Sequence, residues 1–274
     1  MNNTGSLYID KPSFLHQLDG GVKLIWVVLW SIFTFMFMDI RIFLALIVIG
    51  AILLYCSKIE FRRMRVLIGF ILGFTVFNSI LLLILTPNHG SELAGSTTVL
   101  FKVGFYTLTL ENLFYVLTIS CKYIALLPIT LIFLFTTHPS KFASSLNRIG
   151  VPYKVAYTVS IALRYVPDIQ AEVKHIIMAQ EARGVAFKRG DAPVMTILKN
   201  YMSVLIPLVL GSLDRIEVVS NAMDLRGFGK DKTRTWYVRE PFTRLDIIAL
   251  VIGVLFIAVG LILKANIGYF WYPF

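Results

Sequence analysis

The chain opens with roughly twenty polar and mixed positions and then turns apolar. From Leu24 to Met38 every residue except Ser31 and Thr34 is apolar or aromatic. Asp39 and Arg41 mark a very short turn, and Ile42 to Cys56 is apolar again. This pattern predicts a helical hairpin of two short spans. About 20 residues are needed to cross a hydrocarbon core upright, so the second span is expected to run on towards Ile59. Val66 to Leu85, Leu113 to Phe135 and Ile247 to Leu263 are three further apolar runs of suitable length. The stretch from Thr86 to Leu110 is rich in Gly, Ser, Thr and Asn and is expected to be a loop. The last span runs out into Tyr269, Phe270, Trp271, Tyr272 and Phe274, an aromatic belt of the kind found at a membrane interface. The expected architecture is an all-α integral membrane protein of about five transmembrane helices.

Residues 137–244 differ in kind. Apolar positions there recur at helical spacing, as in Ile169, Val173, Ile176 and Ile177, and again from Val194 to Val209. Long amphipathic helices lying against the membrane domain are expected. Pro152 suits a first helical turn, while Pro167 and Pro207 are expected to kink their helices. Tyr201 to Leu213 is apolar enough to dip into a bilayer but short for a full span. The chain therefore divides into a membrane domain over 1–136, a helical module over 137–244 and a final transmembrane helix over 245–274.

Composition supports the membrane assignment. Of 274 residues, 57% are hydrophobic and 15% charged, with a mean hydropathy of +0.75. Soluble domains carry about 25% charged residues, so this chain cannot cover a soluble surface. The net charge of +10 would suggest nucleic acid in a soluble protein. Here it follows the rule that Lys and Arg stay on the cytoplasmic side, and no nucleic-acid partner is expected. The cluster Lys58, Arg62, Arg63 and Arg65 is then inside, and the Lys-poor 86–111 loop outside. The N-terminus and the 137–244 module face the cytoplasm and the C-terminus faces out. The module holds 16 of the 26 basic residues, consistent with that side. No small-x-small cleavage site follows the first apolar run, so it is expected to be a span rather than a leader. Cys56 and Cys121 lie in apolar segments and are expected to be small buried hydrophobes.

One motif repeats inside the module. Ala179-Gln180-Glu181-Ala182-Arg183-Gly184 matches Ala222-Met223-Asp224-Leu225-Arg226-Gly227, 43 residues later. Each copy follows an amphipathic run. Gly is favoured just past a helix C-terminus, and Arg in the last turn complements the helix dipole. Each copy thus predicts a helix stop that carries one guanidinium at its tip. Taken singly, either is accounted for as an ordinary helix cap. Two copies at matched positions suit a partner with two equivalent pockets, because a guanidinium is a rigid fork for carboxylates and carbonyls.

Catalytic signatures are not found. Gly227-Phe228-Gly229-Lys230 lacks the spacing and hydroxyl of a phosphate-cradling loop, and His16, His89, His138 and His175 form no metal motif. No catalytic residue and no metal ligand is assigned. Lys122 and Asn78 are polar groups within spans; Lys122 is expected to snorkel or face the bundle interior, and Asn78 to join helices by a hydrogen bond. A stand-alone permease or channel would need a polar path built on those two. A lipid-modifying membrane enzyme would need acids near an interface, where Glu60 beside the 62–65 arginines stands alone.

The paired motifs resemble the transmembrane T component of energy-coupling factor transporters, which are prokaryotic importers of vitamins and transition metals. Ala182-Arg183-Gly184 matches the family's first motif. Leu225-Arg226-Gly227 matches its second, with Leu in place of a small residue. Glu181 and Asp224 support both. Ser13 to Asp19 with Lys23 resembles the family's entry segment, with Gly20-Gly21 where Pro-Arg is commoner. Leu146 to Pro152 and Leu163 to Pro167 are similar as well. The resemblance implies a non-enzymatic scaffold in the plasma membrane of a prokaryote. It implies two ATP-binding-cassette ATPases as partners, each receiving one arginine tip of the cytoplasmic coupling helices, and one small substrate-binding membrane S component. ATP and magnesium would be bound by the ATPases, with no cofactor in this chain. The transported substrate would be set by the S component.

Overall fold

The structure, a computed structural model, describes residues 8, 11, 13–87, 89–95, 98–103, 106–188, 190–231, 235–236, 241–266 and 271–273. These residues group into two units, one of 8–138 with 241–273 and the other of 139–236.

The first unit carries the apolar helices. A short helix α1 (Phe14–Gln17) leads into α2 (Gly20–Met36) and α3 (Ile40–Cys56). Next come α4 (Phe61–Leu85), a short α5 (His89–Ala94), a hairpin of β1 (Val99–Val103) and β2 (Tyr106–Thr109), and α6 (Leu110–Thr136). The helix α10 (Arg244–Asn266) returns to this unit from the far end of the sequence. Polar residues at the turns start the helices. Asp19 accepts from the Gly21 N–H at 2.8 Å and Asp39 from the Arg41 N–H at 2.9 Å. Thr109 accepts from the Asn112 N–H at 3.3 Å. Each such cap satisfies a donor that the helix itself leaves open.

The 86–110 stretch is more ordered than a loop. Its β-branched and aromatic residues form an antiparallel pair, and α6 holds it through Glu111, which accepts from the Thr98 N–H at 2.8 Å and its hydroxyl at 2.6 Å. The basic residues 62, 63 and 65 lie in the first turns of α4, not in a linker before it. Lys11 donates to Glu60 at 2.9 Å, and that bond holds the Glu60 carboxyl below the usual carboxylate range.

The core of the unit lies where α2, α3, α6 and α10 meet. Trp30, Phe33, Phe43, Leu46 and Ala125 are buried there together, with the Phe256 ring stacked on Phe33 at 4.2 Å between centroids. Indole donors are satisfied across helices, Trp30 to the Ala125 carbonyl at 2.9 Å and Trp26 to the Ala249 carbonyl at 3.1 Å. Glycines permit the close approach. A Cβ on Gly50 would sit 2.6 Å from Pro128 of α6, and one on Gly260 would sit 2.8 Å from the Phe33 ring. Small residues serve this purpose in membrane bundles, where packing rather than water drives association.

Four described helices are long and apolar enough to cross a membrane: α4, α6, α10 and Val194–Leu225 of the second unit. The hairpin α2–α3 is apolar but has 17 residues in each arm. At 1.5 Å per residue each arm is about 25 Å long, somewhat less than a hydrocarbon core. The protein is a helical, multi-pass membrane protein.

Several expectations change. Cys56 is exposed at the end of α3 and Cys121 half-buried; both are free thiols. The Asn78 side-chain oxygen is buried without a hydrogen-bond partner among the described residues, and it is Ser79 that bonds across to Ser120, at 2.9 Å. Of the aromatic belt, Trp271 covers the Arg41 guanidinium at 4.2 Å and Tyr272 packs on Phe114. Tyr269, Phe270 and Phe274 lie outside the described residues.

The second unit contains α7 (Pro139–Arg148), α8 (Tyr153–Ala182) and α9 (Val194–Leu225). The last two have 30 and 32 residues and run on through Pro167 and Pro207 without a break. Pro152 and Pro193 stand at their N-caps, where a missing N–H removes nothing from the ladder.

Candidate functional site: two matched helix ends

Both copies of the repeated motif close a helix, and they close it the same way. After Ala182, Arg183 has φ −89° and ψ 7°, and Gly184 is left-handed at φ +84°. After Leu225, Arg226 has φ −85° and ψ 6°, and Gly227 has φ +66°. The Gly184 N–H donates to the Glu181 carbonyl at 2.9 Å and the Val185 N–H to the Gln180 carbonyl at 3.1 Å. The Gly227 N–H donates to the Asp224 carbonyl at 2.9 Å and the Phe228 N–H to the Met223 carbonyl at 3.0 Å. This pair of bonds satisfies terminal carbonyls and needs a left-handed residue to form. Apart from the chain neighbours, nothing stands within 4 Å of a Cβ built on either glycine. Backbone conformation, not space, is what calls for glycine here.

The tips face outward. Ala182, Arg183, Asp224 and Arg226 are exposed, and Leu225 is 90% exposed. An apolar side chain presented this fully beside a guanidinium offers contact area as well as charge. Glu181 is half-buried, with Lys188 at 3.9 Å.

The two helices run antiparallel, so their tips stand at opposite ends of the pair. Phe228, just past the second tip, packs on Tyr157 at 4.9 Å and Tyr153 at 5.7 Å, near the start of α8. Phe187, just past the first, packs edge-on to Tyr201 at 5.2 Å, near the start of α9. Asn200 adds a bond to the Ala186 carbonyl at 2.8 Å. Each helix end therefore leans on the beginning of the other helix. A cavity of about 830 Å³ opens between α8 and the second tip, lined by Tyr153, Tyr157, Arg164, Tyr165, Arg226 and Trp236 among others.

Residues 11–237 match the family described as CbiQ, cobalt transport protein. The chain belongs to this family. It is similar to curated relatives named energy-coupling factor transporter transmembrane protein EcfT. That of Brevibacillus brevis is 30% identical over 262 residues, covering 92% of this chain and 95% of the relative. That of Bacillus subtilis is 28% identical over 268 residues, covering 94% and 97%. That of Limosilactobacillus fermentum is 27% identical over 260 residues, covering 90% and 92%. These relatives are named as the transmembrane component of a transporter.

In this member of the CbiQ family, other polar groups bear on the site less directly. The entry segment forms a knot in the first unit. Asp246 accepts from the Asp19 N–H and from the N–H and hydroxyl of Thr243, all at 2.8 Å, while Lys23 donates to the Thr136 carbonyl at 2.8 Å. Asp19, Lys23 and Asp246 are all buried. They tie the start of α2, the end of α6 and the start of α10 together. Lys122 lies half-buried in α6, its ammonium 4.7 Å from the Phe35 ring and 4.0 Å from the Met38 sulfur. Glu60 is engaged by Lys11 and lies 3.8 Å from Arg63. Asp246 carries no motif, and nothing in the sequence pairs it with a residue 227 positions away.

Proposed function

We propose that this protein is the coupling subunit of an energy-coupling factor importer in a prokaryotic plasma membrane. Arg183 and Arg226, with Ala182, Gly184, Leu225 and Gly227 around them, are the docking elements for two ATP-binding-cassette ATPases. The Glu181 and Asp224 carbonyls accept the glycine N–H groups that close the same turns. ATP and magnesium belong to those partners, and a small membrane S component supplies the substrate site. The substrate class is a vitamin, a vitamin precursor or a metal ion. The N-terminus and the 139–236 unit face the cytoplasm and the C-terminus faces out, in accord with the placement of basic residues.

The observation that carries this function is the duplicated helix end. Two closures built on the same pair of hydrogen bonds hold two arginines at opposite ends of one antiparallel pair, which suits a two-fold partner such as an ATPase dimer. A helix end entering a groove supplies contact area, and the guanidinium fork sets its register. ATP-driven movement of the two ATPases would displace both tips and so move the helices.

The test is a gentle detergent pull-down from the native host. The wild-type chain is expected to bring down two ATPase chains and a small hydrophobic protein. Arg183→Glu with Arg226→Glu should abolish ATPase recovery while the chain still inserts, and either change alone should be milder. Undiminished recovery with both changes, or a wild-type chain that comes down alone, refutes the proposal.

A further inference from the structure

We propose that the ion pair between Glu172 and Arg215 is the fulcrum of the paired helices, a positioning contact that fixes where α8 and α9 cross so that both arginine tips move as one body. The inference rests on the coupling role above.

Three observations point to it. The first is position. Glu172 lies eleven residues before Arg183, and Arg215 lies eleven residues before Arg226. The pair occupies the same place in both copies of the 43-residue repeat. Each tip then stands about 16 Å along its helix axis from the contact, at 1.5 Å per residue. Equal arms on either side of one point are what a shared fulcrum needs.

The second is geometry. Arg215 donates to Glu172 at 2.6 Å, and its guanidinium carbon is 5.6 Å from the centroid of the Tyr165 ring. Tyr165 and Glu172 are two turns apart on one face of α8, so they hold Arg215 from two sides. Gly211 leaves the room for this. A Cβ there would come within 3.0 Å of the Glu172 carboxylate.

The third is the openness of the rest of the pair. The 830 Å³ cavity lies towards the second tip, and another of about 350 Å³, lined by Ile161, Ile169, Ile216 and Met223, reaches up to Tyr165 and Arg215 at the contact itself. Close apolar packing does not run the length of the two helices. Their ends are braced by aromatic pairs, and the crossing is pinned by charge. A directional charged hydrogen bond resists sliding in a way that an apolar contact does not.

The full-length chain in detergent, with Cys56→Ser and Cys121→Ser, is spin-labelled at Lys188→Cys and Lys230→Cys, near the two tips. Glu172→Ala and Arg215→Ala are each expected to broaden the distance distribution between labels. The exchanged pair, Glu172→Arg with Arg215→Glu, is expected to narrow it again. In vesicles carrying the whole complex, each single change should lower substrate uptake per ATP hydrolysed by about fivefold or more while hydrolysis continues, and the exchange should restore it. Wild-type widths in the single variants, no recovery on exchange, or uptake and hydrolysis falling in proportion would each overturn the proposal. Loss of ATPase binding by the wild-type chain would instead refute the coupling role, and the label distances would still decide whether the pair sets the crossing.

Discussion

Replacing Gly184 and Gly227 by alanine separates the shape of the tips from their charge. Both glycines hold positive φ, +84° and +66°, with open space where a methyl group would project. Clash with the rest of the protein is therefore absent, and only the left-handed backbone matters. That conformation costs an L-residue about 1–2 kcal/mol. Part of any benefit from a stiffer unfolded chain, about 0.4–1 kcal/mol, is forfeited because the native φ is incompatible with alanine. The strain falls on two hydrogen bonds, from Gly184 to Glu181 and from Val185 to Gln180 in the first tip, and on their counterparts in the second. Breaking them re-aims the arginine without removing it. A strain of 1–2 kcal/mol corresponds to about 5–30-fold in the population of the correct tip. ATPase affinity should fall by up to that factor for each single change, and further for the double. Asparagine tolerates the left-handed region, so Gly184→Asn and Gly227→Asn should lie close to wild type. The assay is titration of purified ATPases onto the chain in nanodiscs, with circular dichroism to show that helix content is kept. Alanine variants binding within about twofold of wild type, where 1.4 kcal/mol would give tenfold, would show that the backbone closure does not present the arginines.

Two further outcomes concern the membrane unit. Asp246→Ala leaves the Asp19 and Thr243 N–H groups without the carboxylate they share, at a cost of about 1–3 kcal/mol for each buried donor left unsatisfied. Asp246→Asn keeps an acceptor and should lose less; equal thermal unfolding of all three proteins in detergent would contradict this role. Gly50→Ala forces α3 away from the rigid Pro128 ring and should lower stability by about 1–3 kcal/mol. Gly69→Ala, on α4 with nothing within 4 Å, should be neutral or gain up to about 1 kcal/mol from helix propensity. A Gly50 variant as stable as the Gly69 variant would refute the close-packing account.

Much of the fold is legible in the chain. A run of apolar residues long enough to cross a bilayer has no other stable outcome, since an unpaired backbone group in lipid is too costly. That is why Leu113 to Phe135 and Ile247 to Leu263 lie inside observed helices, α6 and α10. The helix stops at Arg183 and Arg226 were equally readable, because a left-handed Gly after an amphipathic run is a local requirement met by local residues. The hairpin at Val99–Thr109 was less so: its five- and four-residue strands are too short to stand out from a polar loop.

Contacts between distant segments were not readable at all. Local pattern alone marked the long apolar and amphipathic helices, where two of them end, and the matched arginine at each end; the short helices α1, α5 and α7 carried no such mark. Only the tertiary structure decided that Glu172 meets Arg215, that Phe228 returns to Tyr157, and that Asp246 receives the Asp19 N–H. Periodicity and caps are set by residues three or four apart, which the chain itself places together. A pairing over 43 or 227 residues depends on how whole helices pack, and no residue carries a local mark of the partner it will find there.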